Sequence, residues 1–257
     1  MIKPDKEWYP NKQRLKGFDY LDKWKNGDPQ AGPSSPIGKI GPDVTTNDQL
    51  FAELQLMALG DIAPLKQEIT ESILIDQLSK YENDWVDYLP RQGWSNNRKG
   101  MLLVGPEGYK HTQGLSMPEI AKDKNNPGIN EALLSYPTQL YKDLSCMHDV
   151  LDYYSPLGRT YLIKLNIGGW FPPHRDSIQI PRETFRLVAF FGKSGPHDFK
   201  WNTNYNQLSI ENGRLYYIDT RKVHETFCNV GPSIHLIVNV PLTLENVYKV
   251  MNNLKNY

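Results

Sequence analysis

The sequence predicts an α+β protein whose C-terminal half is a barrel-like core of short antiparallel strands. From Arg159 onward, β-branched and aromatic residues gather in short runs separated by turn residues, whereas the regular apolar spacing before that point is helical. The length agrees: 257 residues can bury one sizeable core, and β-rich folds of this size commonly form a single domain. The expected organisation is one domain, with a loop- and helix-rich elaboration over residues 1–155, a β core over 156–242 and a closing helix over 243–257.

Residues 1–45 are rich in Pro, Gly, Lys and Asp, including Gly27-Asp28-Pro29 and Gly32-Pro33-Ser34-Ser35-Pro36, and read as a wrap rather than a separate domain. Thr46, Asn47 or Asp48 can cap a helix through Met57, and Thr70 or Ser72 precedes another running to about Lys80. Residues 85–128 mix Trp, Tyr, Gly, Asn and Pro without a period and read as long loops. Within them, Gly93-Trp94-Ser95-Asn96-Asn97-Arg98 is either a substrate-contacting run or a turn. The clearest helix spans Pro137 to Tyr154, where Leu140, Leu144, Met147 and Leu151 recur at three- and four-residue steps. The expected strands are Tyr161 to Ile167, Phe185 to Phe191, Asn206 to Ile210, Leu215 to Asp219, His224 to Asn229 and Ile234 to Val240. Glu211-Asn212-Gly213-Arg214 predicts a hairpin between the third and fourth of these, because Asn-Gly accepts the positive φ of a tight turn. Leu242 to Leu254 closes the chain as a helix.

Twenty-nine basic side chains balance twenty-nine acidic ones, so nothing in the overall charge suggests capture of nucleic acid or of an acidic membrane surface. The N-terminus lacks an apolar signal core and no stretch approaches the roughly 18 apolar residues of a span, so a soluble, cytoplasmic protein is expected. Cys146 and Cys228 are too few for a disulfide framework and read as reduced core thiols.

The chemistry concentrates in Gly168-Gly169-Trp170-Phe171-Pro172-Pro173-His174-Arg175-Asp176. On an extended backbone, residues two apart point to one face, so His174 and Asp176 look the same way and Arg175 looks away. A distal histidine, His224, opens a later β-rich segment. Two imidazoles and a carboxylate on one face of a metal leave several positions open, the arrangement expected of non-haem Fe(II) oxygenases. Spacing alone also fits a surface turn holding a His–Asp pair; the preceding strand, the Gly-Gly-x-x-Pro-Pro bend and the later histidine favour the metal.

Residues from about Tyr161 to Leu242 resemble the Fe(II)/2-oxoglutarate-dependent oxygenases, particularly the aspartyl/asparaginyl β-hydroxylase-like branch. The matching features are Pro173-His174-Arg175-Asp176, Arg186-Leu187-Val188, Asp219-Thr220, His224-Glu225 and the closing strand His235-Leu236-Ile237-Val238-Asn239-Val240. The resemblance implies a double-stranded β-helix of jelly-roll or cupin-like type, with Fe(II) on His174, Asp176 and His224. It further implies 2-oxoglutarate and O2 as co-substrates, succinate and CO2 as products, and hydroxylation of an Asp, Asn or Pro side chain in a peptide, protein or amino acid. About a third of the chain is covered.

A dicarboxylate in a partly dry site needs cationic or hydrogen-bonding partners. Arg186, on the strand after the metal pair, is the first candidate, its alternative being an outward arginine on an edge strand. The resembled branch commonly has an arginine near the start of the last strand, where this chain has Pro232-Ser233-Ile234-His235. Ser233 aligns with that position and His235 shares its face, and either can hydrogen-bond a carboxylate. Lys164 is a possible substitute cation or an exposed strand lysine. His111, His148 and His197 lack a partner at ligand spacing and read as surface or capping residues, while Trp170 and Phe171 read as site wall or core. Two other readings compete: a metal-dependent cupin enzyme without 2-oxoglutarate, whose usual His-x-His differs from the His-x-Asp here, and a non-catalytic cupin-like binding module.

Overall fold

The computed structural model describes residues 62–88, 97–174, 176, 184–193, 199–201, 206–207, 210–220, 224–228 and 230–255. The N-terminal wrap, the helix expected through Met57, Arg175 and His197 lie outside them.

Twelve strands are defined among these residues: β1 (Ile62–Glu68), β2 (Val86–Asp87), β3 (Arg98–Gly105), β4 (Tyr136–Pro137), β5 (Thr160–Leu165), β6 (Trp170–His174), β7 (Thr184–Gly192), β8 (Phe199–Trp201), β9 (Asn206–Gln207), β10 (Arg214–Ile218), β11 (His224–Phe227) and β12 (Ser233–Pro241). They form a larger sheet ordered β1-β10-β7-β12-β5-β3-β2, with β4 on β3, and a smaller one ordered β6-β11-β8-β9. Numbered from one to eight, β5 to β12 give the orders 1-8-3-6 and 2-7-4-5. That interleaving is the double-sheet jelly roll, so the expected double-stranded β-helix is present. It is two open sheets rather than a closed barrel, because among the described residues no strand of one sheet pairs with a strand of the other.

The pleat of the larger sheet divides its side chains. Leu187, Ala189 and Phe191 of β7 and Ile234, Leu236, Val238 and Val240 of β12 face a core shared with helices α1 (Glu71–Ser79), α3 (Gln139–Asp143), α4 (His148–Leu151) and α5 (Leu244–Asn253). The alternate residues, among them Arg186, Val188, Phe190, His235, Ile237 and Asn239, face the smaller sheet by strand alternation. Helix α2 (Met117–Asp123) lies in the β3–β4 connection and starts with a capping box between Ser116 and Glu119. No helix among the described residues is long and apolar enough to cross a membrane.

Several expectations need correction. The N-terminal half also contributes strands, since β1 extends the larger sheet on one side and β3, with β2 and β4, extends it on the other. Met101-Leu102-Leu103-Val104 is buried on both faces, and such a run shows neither alternation nor helical period. The helix expected from Pro137 to Tyr154 is instead two short α-helices joined by a 3-10 turn at Ser145–Met147, with a second 3-10 turn at Asp152–Tyr154 after them. It breaks at Leu144, whose ψ of 63° is not helical, and the amide of Gln77 bonds the Ser145 hydroxyl and the Cys146 N–H at the break. The Asn212-Gly213 turn forms but does not close a hairpin: β9 pairs with β8 in the smaller sheet, whereas β10 enters the larger one. Local turn chemistry fixes the chain reversal, not the partner strand. The two cysteines are not bonded to each other, Cys228 being buried and Cys146 half-buried.

Gly213 has φ +80°, and a Cβ there would run into the carbonyl oxygen of Ile69, whose N–H donates to the Gly213 carbonyl. Gly108 has a similar φ of +77° with nothing near a built Cβ. Gly213→Ala should therefore cost about 1–3 kcal/mol in urea unfolding. Gly108→Ala should cost clearly less, and equal costs would show that the Ile69 contact relaxes freely.

Candidate metal centre

The site is built by the pairing of β6 with β11 (Phe227↔Trp170, Thr226↔Phe171, His224↔His174). Three steps on β6 match two on β11, which marks a bulge at Pro172-Pro173. β6 is the outer strand of the smaller sheet, where prolines without N–H donors are tolerated. The bulge sets His174 opposite His224, with ring centroids 4.2 Å apart. The chain then places Asp176 alongside, its N–H donating to the Thr220 carbonyl at 3.0 Å. His174 Nε2 lies 3.8 Å from Asp176 Oδ1. One donor atom from each of His174, Asp176 and His224 lies within 4.8 Å of the others, so the structure brings together the three side chains named from sequence. His224 is buried, while the side chains of His174 and Asp176 stay 20% and 25% exposed, which leaves the cluster open to a ligand from one side.

Burial alone would raise the Asp176 carboxyl. The Arg186 guanidinium, then the two imidazoles and the Thr220 hydroxyl, outweigh it and hold the carboxyl well below the usual carboxylate range. Arg186 Nη1 donates to Asp176 Oδ2, and Arg186 Nε donates to Asn239 Oδ1 at 3.1 Å. The guanidinium proposed as a co-substrate anchor is thus engaged by one of the candidate ligands.

Ser233 and His235 face the smaller sheet from β12, buried, with Ser233 Oγ 3.0 Å from His235 Nε2 and the imidazole edge-on to Phe190. Lys164 is not brought to the site. It pairs in register with Ile234, shares the helix-covered face, and binds Glu82 Oε1 at 2.6 Å beside the Trp85 ring. Strand alternation already separated Lys164 from Tyr161 and Ile163. His111 is held by Asp84 and His148 by the Tyr141 carbonyl, in keeping with structural roles. Phe171 lines the space between the sheets, against Tyr88 and His174, and Trp170 is partly exposed.

Sequence reasoning gave no site role to three inward residues, Tyr88, Tyr161 and Asn239, and named Arg98 only within a run that is either substrate-contacting or a turn. Arg98, buried at the head of β3, lays its guanidinium 4.5 Å from the Phe171 ring centre. Tyr88 and Tyr161 stack with centroids 6.0 Å apart, and burial pushes the Tyr88 phenol up. Asn239 is fully buried between Val238 and Val240. The available signal was a polar residue inside an otherwise apolar strand.

Because the Asp176 carboxyl is depressed, its contribution to stability is complete above the ordinary carboxylate pKa of about 4 and fades as pH falls below it. Without added metal, the unfolding stability of the wild type relative to Asp176→Asn should hold constant at neutral pH and shrink on acidification. A difference that grows in acid would contradict the Arg186 pairing.

No family model matches the sequence, and no curated protein matches it. Among solved structures, a prolyl-4-hydroxylase from Pseudomonas putida is 11% identical, covering 75% of this chain and 99% of its own at a TM-score of 0.42. A prolyl hydroxylase from Trichoplax adhaerens, in complex with a peptide fragment of a hypoxia-inducible factor, is 11% identical over 79% of this chain and 93% of its own, TM-score 0.41. An oxidoreductase of the 2OG-Fe(II) oxygenase family from Burkholderia pseudomallei is 12% identical over 76% and 90%, TM-score 0.38. These are likenesses of overall shape, and no residue role passes across them.

Proposed function

We propose that the chain is an Fe(II)- and 2-oxoglutarate-dependent oxygenase that hydroxylates a side chain of a peptide, protein or amino acid. The observation that carries this reading is the convergence of His174, Asp176 and His224, partly open to solvent, at facing positions of a jelly roll. Two imidazoles and one carboxylate, with no thiolate, suit non-haem iron, and the spread of the donor atoms is small enough for side-chain adjustment to share one ion. Bound there, Fe(II) supplies oxygen activation coupled to decarboxylation of 2-oxoglutarate to succinate.

The chain's own residues then divide the work. His174, Asp176 and His224 hold the ion, and Arg186 fixes the second oxygen of Asp176. Ser233 and His235 offer hydrogen bonds to the far carboxylate of the co-substrate. Arg98 supplies the charge: Arg98 and Ser233 both pair in register with Leu165, so they occupy one transverse row of the inner face. Tyr88, Tyr161 and Phe171 keep that end apolar. The motif Pro173 to Asp176 supports an Asp, Asn or Pro target.

A metal-dependent cupin enzyme without 2-oxoglutarate, or a non-catalytic module, is the competing reading. It is favoured by one observation, that Arg186 is engaged by Asp176 and Lys164 faces the helices.

Anaerobic Fe(II) plus 2-oxoglutarate should give a weak visible charge-transfer band. His174→Ala, Asp176→Ala and His224→Ala should each abolish the band and succinate formation while the thermal transition persists. Absence of the band in the wild type would favour the competing reading. Arg98→Leu should raise the 2-oxoglutarate requirement by about tenfold or more, since charge-assisted bonds contribute about 1.5–3 kcal/mol each. An unchanged requirement would move the anchor elsewhere.

A further inference from the structure

We propose that Asn239 is a positioning residue for the metal centre: it orients the Arg186 guanidinium so that one oxygen of Asp176 is withheld and only the other faces the imidazoles. This rests on the reading of His174, Asp176 and His224 as a metal-binding set.

The two oxygens of Asp176 have different neighbours. Oδ2 accepts from Arg186 Nη1, while Oδ1 lies 3.8 Å from His174 Nε2. An unrestrained carboxylate can turn and chelate an ion through both oxygens, taking up a position that a co-substrate needs. Held by Oδ2, it has one oxygen to give. Arg186 does this only if its own fork is fixed, because the side chain is long and a single hydrogen bond leaves the guanidinium free to swing. The second fixed point is Nε, which donates to Asn239 Oδ1 at 3.1 Å.

Asn239 in turn cannot turn over. Its Nδ2 donates to Glu131 Oε1 at 3.0 Å and to the Arg159 carbonyl at 2.5 Å. A carboxylate and a carbonyl accept, and a guanidinium only donates, so exchange of the amide N and O would break all three bonds. Glu131 is fixed by Arg159 Nε at 2.7 Å, and Arg159 Nη1 donates to the Leu115 carbonyl at 2.5 Å. A chain of side chains therefore runs from the β3–β4 connection, through Glu131, Asn239 and Arg186, to one oxygen of Asp176. Asn239 sits fully buried on the central strand β12, on the cleft face and opposite to Val238 and Val240, where an unsatisfied amide would be costly. Packing does not call for an amide there; orienting Arg186 does.

The competing account gives Asn239 only the task of sealing the Glu131–Arg159 pair. Co(II), a redox-stable probe, titrated into the full chain separates the two. Asn239→Ala and Arg186→Gln should each weaken Co(II) binding by about tenfold or more and alter its ligand-field spectrum. The double variant should bind no more weakly than Arg186→Gln alone, because Asn239 acts through Arg186. Wild-type affinity and spectrum in Asn239→Ala, or losses that simply add in the double variant, would overturn the proposal. If Asn239→Ala does not fold, Asn239→Ser carries the same expectations, because it keeps a polar group in the buried site and lacks the amide oxygen that Arg186 Nε binds. The metal reading fails separately, and takes this proposal with it, if the wild type takes up no Co(II) or His224→Ala binds it as well as the wild type.

Discussion

The pairing of β6 with β11 is the constraint on which the rest of the candidate site depends. These strands are separated in sequence by four strands, two from each sheet, and only the jelly-roll wrap makes them neighbours. Antiparallel pairing then fixes which residues oppose each other, and the bulge at Pro172-Pro173 sets the phase so that His174 faces His224. A one-residue slip would send one imidazole to the far face of the sheet. The larger sheet stabilises this arrangement from behind, because β12, central between β5 and β7, is buried against both the helical core and the cleft.

Charge on the cleft side is arranged around carboxylates that are never left alone. Asp176 has Arg186, and Glu131 has Arg159 and the Asn239 amide. Breaking a buried pair by removing one partner leaves an uncompensated charge, so such groups act as a linked set rather than as separate contacts. The consequence for the proposed chemistry is that an ion entering between the imidazoles meets a carboxylate that is already anionic and already oriented. The cost of ordering that ligand is met on folding, not on binding.

The sequence made the donor set legible because extended backbone turns spacing into direction. His174 and Asp176, two residues apart, had to share a side, and a histidine heading a later β-segment was the natural third partner. Five of the six expected strands occupy nearly the expected places for the same reason, since alternation and turn residues are local signals; the sixth, Asn206 to Ile210, lies partly outside the described residues. What stayed hidden was non-local. Nothing in Met101 to Val104 tells a strand buried on both faces from a buried helix, and nothing in Asn212-Gly213 says which sheet the next strand joins. For Lys164 the sequence leaves a substitute cation and a strand lysine away from the site both open, and the pleat relative to Tyr161 and Ile163 agrees with the second.

Arg186 lies on the strand and face expected of it, and the structure gives it a partner inside the candidate site. Sequence placed it on the strand after the metal pair, facing inward, and it does face inward. Its partner, however, follows from depth along the strand. Arg186 aligns with Asn239 and Ile218 in the row nearest Asp176, whereas Arg98, Leu165, Ser233 and Gly192 form the row at the opposite end of the inner face. His235 and Phe190 lie one row in from that end, and Tyr161, Ile237 and Val188 lie between. A rod-shaped dicarboxylate chelating an ion beside Arg186 would point its far end along these rows toward Arg98 and Ser233. Under the proposed function, the cation nearest the ion would shape the ligand set, and the cation farthest from it would read the length of the co-substrate.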